Sequence, residues 1–249
     1  MKKIIGLLIL GLVFACNSED ANDCFQTTGT MTQETILVEN FENILVNRGV
    51  QLFIEEGDAY AVIVETGENL INDIDVVVIG NQLEITDNNT CNFVRDYAAT
   101  KVYVTAPDLK TIRNSSQYTI SSIGVLNYNN LSLISEDFNL PGSFTDGDFS
   151  LQLHTTNLSV VSNNLSSFYL SGTAEHVDIG FYSGSGRFEA QDLIAQNINI
   201  YHRGTNDMII NPQLTLTGEI RSNGNVIVVH TPPVVTTETF YTGHFIFTD

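Results

Sequence analysis

Residues 158–204 read LSVVSNNLSSFYLSGTAEHVDIGFYSGSGRFEAQDLIAQNINIYHRG, and the way this stretch repeats decides the fold. Apolar and polar residues alternate along short runs: Leu158 and Val160, then Val177, Ile179 and Phe181, then Ile198 and Ile200. Alternation at period two is the mark of a strand with one buried face. Each run ends in a corner of Ser, Asn and Gly, and a second apolar strand follows. Working outward, segments of the same shape begin at residues 131, 158, 177, 198 and 216, so the successive spacings are 27, 19, 21 and 18 residues. A unit of this size cannot bury its apolar face alone and must stack on its neighbours. The spacing therefore predicts β-solenoid coils and C-terminal strands over 109–249. Ser, Asn and Thr would form hydrogen-bonded ladders at the corners, and Gly would turn the bends. The 27-residue step contains FSLQLHTTN and reads as an irregular coil or an insertion. An antiparallel β-sandwich is also compatible with short strands and turns, but the solenoid is preferred.

Upstream, residues 34–108 form a second group. ETILVENF, NILVNRGVQLFIEEG and AYAVIVET alternate, with Val50, Leu52 and Ile54 on one face. In DVVVIGNQLEIT, Gly80-Asn81 is a two-residue turn that favours positive φ, which predicts a tight hairpin. Pro107 ends TKVYVTAPDL. The pattern fits antiparallel packing with one buried face. GENLIND, 67–73, is the clearest helix candidate, at most two turns. The expected fold is all-β: a right-handed parallel β-helix or solenoid-like stack of short coils, with an N-terminal antiparallel β region.

Composition narrows the function. Ten Lys and Arg face 29 Asp and Glu, a net charge of −19. Such a field repels phosphates, so nucleic acid is excluded as a partner. Hydrophobic content of 43% excludes general disorder. The chain has no Trp; its 14 Phe and 9 Tyr can fill a core, and its 25 Asn favour tight turns.

The N-terminus carries an address. Lys2 and Lys3 precede an apolar run, Ile4 to Ala15, that ends at Cys16. At ~1.5 Å per residue the run covers about 18 Å, short of the ~30 Å hydrocarbon core, so it reads as a signal peptide over 1–15 rather than a spanning helix. Val13-Phe14-Ala15-Cys16 is similar to a bacterial lipobox, with Phe14 bulkier than usual. Cys16 is the lipidation residue: its thiolate takes a diacylglycerol and its freed α-amine a further acyl chain such as palmitate. Several chains, at about 0.8 kcal/mol per buried CH₂, hold a protein on a membrane. Residues 16–33 then form an acidic tether, and Asn17-Ser18-Glu19-Asp20 resembles the export signal of surface lipoproteins of the Bacteroidetes. Losing Lys2 and Lys3 with the leader takes the charge from −19 to −21. Cys24 and Cys91 remain. In an exported protein they read as a disulfide, worth ~4 kcal/mol in the chain-entropy model for so long a loop, or as two free buried thiols.

LVENFENILVNRGVQL (37–52), VETGENLINDIDVVVIGNQLEI, KVYVTAPDLKTI and LSGTAEHVDIGFYSGSGRFEA, in this order, resemble the auto-transporter adhesin, head GIN domain family, over roughly residues 34–230. The resemblance implies one continuous β-helical domain of a kind typical of Bacteroidetes lipoproteins. It carries no catalytic residues to this chain. The family's Ser-Gly-Ser corner is kept cleanly only at Ser183-Gly184-Ser185-Gly186.

Motifs for chemistry are thin. His154, His176, His202, His230 and His244 form no zinc-type pair and read as surface or corner residues. Asp146 and Asp148 in TDGDF lack the other ligands of a calcium loop and read as an acidic turn. SGSGR has no following helix to make a phosphate loop. No metal, cofactor or catalytic group is assigned. Tyr169, Tyr182 and Tyr201 recur near coil spacing and form the candidate ligand face, against the reading of a structural aromatic ladder. The expected function is a lipid-anchored outer-membrane protein, exposed at the cell surface or facing the periplasm. Its role is non-enzymatic binding, adhesion or envelope scaffolding, with an extracellular protein or glycan as partner. The alternative is a carbohydrate-binding or carbohydrate-cleaving β-helix.

Overall fold

A computed structural model describes residues 24–89, 91–95 and 100–248. The expected leader, Cys16 and the part of the expected tether up to residue 23 lie outside the described residues. The first strands are β1 Met31–Ile36, β2 Asn43–Val46, β3 Val50–Glu56, β4 Ala61–Gly67, β5 Ile74–Ile79, β6 Gln82–Asp87, β7 Thr100–Ala106, β8 Thr111–Asn114 and β9 Ile120–Leu126. They are followed by β10 Asn130–Ser135, β11 Phe149–Ser162, β12 Phe168–Phe181, β13 Phe188–His202, β14 Met208–Ile220, β15 Val226–Val228, β16 Val234–Thr239 and β17 Phe245–Phe247. All 17 belong to one mixed sheet that curls into a nearly closed, barrel-like wall. The helix expected over 67–73 is only a turn and a short 3₁₀ segment, Ile71–Asp73. Two turns are too few to be stable alone, and the Asn69 amide donates instead to the Thr27 carbonyl at 3.0 Å.

The repeat starts read from the sequence are register partners. Leu131 lies opposite Leu158, Leu158 opposite Val177, Val177 opposite Ile198, and Ile198 opposite Leu216. These pairings are parallel, as are all the others from β8 to β17, so an antiparallel sandwich does not describe this part of the chain. FSLQLHTTN is regular strand within β11; the extra length of the 27-residue step lies in the long corner 136–148. β12 does not run straight. Its ends, Phe168 and Phe181, would be about 43 Å apart in a flat strand, yet their ring centroids are 5.7 Å apart. The strand wraps round the core and closes on itself.

The pairings form two columns. The first runs β5, β6, β2, β8, β10, the second halves of β11 to β14, then β16. The second runs β1, β4, β7, β3, β9, the first halves of β11 to β14, then β15 and β17. The N-terminal region is therefore not an antiparallel unit. Among the described residues only β1–β4, β4–β7 and β5–β6 are antiparallel, the last through the expected turn at Gly80, φ 63°. β2 pairs in parallel with both β6 and β8, and β3 with both β7 and β9. Alternation misleads here because the outer face of this parallel sheet is wet. Its strands carry the one-sided pattern normally associated with antiparallel sheets.

The core is built in rows. Ile120, Phe149, Phe168, Phe188, Met208 and Val226 are successive register partners and all but fully buried. Each such large side chain contributes about 1.5–3 kcal/mol by leaving water. Corners stack mainly through backbone, where side-chain ladders were expected. Leu165 N–H donates to Thr145 O at 3.0 Å, Ser185 N–H to Asn164 O at 2.8 Å, and Thr205 N–H to Gly184 O at 2.8 Å. Gly184 has φ 87°, and a Cβ there would meet Asn164 O at 1.9 Å. Gly184→Ala is expected to cost about 1–3 kcal/mol through backbone strain at this corner, read as a shift in the urea midpoint; an unchanged midpoint would show that the corner relaxes freely. At the N-terminal end Cys24 and Cys91 form a disulfide, with Cα atoms 4.4 Å apart. Phe25 and Phe93 pack beside it, ring centroids 5.7 Å apart.

Candidate binding face

The outer wall of the first column is tied to itself. Asn157 donates to Asn130 Oδ1 at 2.8 Å, Asn199 to Asp178 Oδ1 at 3.1 Å, Thr215 to Asn197 Oδ1 at 2.8 Å, and Thr217 to Asn199 Oδ1 at 3.0 Å. These side chains stabilise neighbouring repeats and have little capacity left for a ligand.

The three tyrosines separate. Tyr182 follows β12 at the corner and lies 5.2 Å from Tyr201 on the first column. Phe138 joins them edge-on at 5.9 Å from Tyr182. Further along, Arg221 sits 4.2 Å over the Phe240 ring and is held by the Glu219 carboxylate at 2.6 and 2.9 Å. Hydrogen bonding to Arg221 lowers the Glu219 pKa against the opposing pull of desolvation. Tyr169 is not part of this cluster. It stands on the outer face of the second column, 43% exposed, between Ser150 and Glu189 in register.

Two depressions on the second column's outer wall contain aromatic side chains. One, of about 340 Å³, is lined by Ser150, Gln152, Tyr169, Ser171, Glu189 and Asp192, among others. The other, of about 270 Å³, surrounds Phe53 and Tyr103. Those rings stack 5.1 Å apart, with planes 17° from parallel.

The acidic turn has a structural task. Asp148 Oδ1 accepts from Ser167 N–H at 2.8 Å. Burial raises its pKa, the Ser167 hydrogen bond opposes the shift, and Asp146 adds to it. Among the described residues no group of three His, Cys, Asp or Glu is arranged to hold a metal ion. His202 departs from the surface reading: it is buried, in register with Phe181 and Ile220, and Nε2 lies 3.0 Å from Asn206 O. Burial pushes its pKa down.

Residues 40–232 match the family described as "Putative auto-transporter adhesin, head GIN domain". The chain belongs to this family. Several crystal structures are similar to this chain in fold, three of them as follows. An adhesin-described protein from Bacteroides fragilis is 18% identical, with TM-score 0.79 over 89% of this chain and 99% of that one. A protein from Parabacteroides distasonis described as lipid-binding is 16% identical, with TM-score 0.63 over 90% and 99%. An adhesin-described protein from Parabacteroides merdae is 15% identical, with TM-score 0.64 over 90% and 98%. At these identities the likeness concerns the fold. No curated protein matches the chain.

The head GIN domain also holds features that sequence reading missed. Phe53 and Tyr103 are 50 residues apart and meet only because β3 and β7 pair. Arg113 and Glu136 form a bonded pair at 2.6 Å, with the Glu136 side chain fully buried. Neither pair has a local sequence signal.

Proposed function

We propose that this chain is a surface-displayed lipoprotein with a non-enzymatic binding role of the adhesive kind. The observation that carries the reading is the contrast between the two outer walls. Polar side chains of the first column bond one another, whereas Gln152, Gln191 and Asp192 beside the second column's Tyr169 depression have no side-chain partner among the described residues. The family and the adhesin-described neighbours support it. We also read the parallel registers at 18–21 residue spacing as a right-handed solenoid, and residues 34–230 as one continuous unit. Such a stack is a stiff platform, since each repeat is held by both neighbours.

Cys16 supplies the anchor, and the tether expected over 16–33 is shortened, because Cys24 is bonded to Cys91 and β1 begins at Met31. Among the described residues no helix is long and apolar enough to cross a membrane. Cys16→Ser is expected to move the protein from the membrane fraction to the soluble fraction and to abolish labelling by a palmitate analogue. Retention in the membrane with label intact would refute the anchor. Protease added to intact cells should then cleave the wild-type chain; full protection would place it on the periplasmic face.

A further inference from the structure

We propose that the outer face of the second column binds an extended neutral oligosaccharide, seated on Tyr169 at one end and on Phe53 at the other. The inference rests on the binding role above and names its site and ligand class.

Three observations converge. First, Phe53, Ser121, Ser150 and Tyr169 are successive register partners on one outward row. Three strand spacings separate the aromatic ends, roughly 14 Å. Small serines between two rings make a trough, and the two depressions lie at its ends. Second, the parallel row beside it holds Gln152, Ser171 and Asp192 in register. The side chains of Gln152, Gln191 and Asp192 and the Tyr169 hydroxyl make no hydrogen bond among the described residues. Amides and hydroxyls both donate and accept, and the carboxylate accepts. That mixture matches a polyhydroxylated chain, whose hydroxyls do both. Third, the charge selects. Asp192 and Glu189 face the site, and Arg187 is held by Glu189 at 2.9 Å. A uronate, sulfate or phosphate would be repelled. A lysine-rich peptide would use the carboxylates but not the amides or the row of serines. The negative faces of Tyr169 and Phe53 attract the polarised C–H bonds of a sugar ring.

Titration calorimetry on the full-chain protein in detergent tests this. The probes are cellohexaose, xylohexaose, maltohexaose, mannohexaose and chitohexaose, their disaccharides, oligogalacturonate and oligolysine. At least one neutral hexasaccharide is expected to bind, with its disaccharide about tenfold weaker because it reaches only one ring. Tyr169→Ala and Gln152→Ala should each weaken binding by about tenfold at unchanged melting temperature, while Tyr182→Ala leaves it unchanged. Tyr169→Trp should keep affinity and, in a chain with no other Trp, report binding by fluorescence. Binding of no neutral probe would overturn the inference. So would equal affinity after Tyr169→Ala and Gln152→Ala, or a preference for oligogalacturonate or oligolysine. Adhesion of cells to a surface coated with the neutral hexasaccharides separates the two levels. If Tyr169→Ala cells adhere like wild type, this site falls and the binding role stands. If cells carrying Cys16→Ser adhere like wild type, the binding role itself falls.

Discussion

Phe168→Ala is expected to destabilise the fold by about 3–5 kcal/mol, lowering the melting temperature by roughly 10 °C for a domain of this size. Phe168 is fully buried and sits inside the row that runs up the core. Its ring stacks on Phe149 at 4.8 Å, 8° from parallel, and touches Phe181 at 5.7 Å. Phe149 and Phe188 are fixed by strands on either side, so they cannot slide in to fill the gap. The cavity should persist, which puts the loss at the high end for its kind. Tyr169→Ala, one residue on but facing out, should cost under about 1 kcal/mol. Calorimetric or urea unfolding of the two variants gives the comparison. A Phe168→Ala loss no larger than that of Tyr169→Ala would show that the row does not carry the core.

The second large effect concerns one buried charge. Glu136→Ala is expected to cost about 3–5 kcal/mol by leaving Arg113 without its counter-ion. The Glu136 side chain is 0% exposed and that of Arg113 17%. One carboxylate oxygen accepts from Arg113 Nη2 at 2.6 Å, the other from Asn139 N–H at 2.9 Å, and Arg113 Nη1 donates to the Glu136 carbonyl at 3.0 Å. The pair pins the long corner 136–148 to β8. Replacing both partners, Arg113→Met with Glu136→Leu, should recover most of the loss, because no unpaired charge remains. The pH dependence has a definite sign. Burial alone would raise the Glu136 pKa, but the Asn139 N–H and Arg113 outweigh it and the group lies below its ordinary 4.5. Its contribution is therefore full above that value and is lost as pH falls through the folded pKa. Wild type should lose stability more steeply than Glu136→Ala below about pH 4.5. Parallel acid limbs in the two proteins would refute the assignment.

Much of the repeat was legible in the chain. Leu131, Leu158, Val177, Ile198 and Leu216 stand out because each inward residue of a stacked unit needs an apolar partner directly above and below it. The Gly80-Asn81 hairpin was legible because few residues accept positive φ. The order of the N-terminal repeats was not. β2 and β3 lie between the β6–β7 and β8–β9 repeats, reached across steps of 39 residues from Asn43 to Gln82 and 68 from Asn43 to Thr111. Strand alternation records which face is buried but not which strand lies alongside. The same limit explains Tyr169: the spacing grouped it with Tyr182 and Tyr201, but a closed unit has two columns, and near-equal spacing does not say which one a residue occupies.

By itself, then, the sequence determined the all-β class, the repeat length, the hairpin and the acidic character of the chain. These depend on composition and on neighbours a few residues apart. Tertiary structure alone decided the parallel pairing of the N-terminal strands, the buried Arg113–Glu136 contact and the row linking Phe53 to Tyr169. Each depends on which distant strands share a hydrogen-bonded edge. That choice follows from closing the wall around a common core, and no local pattern encodes it.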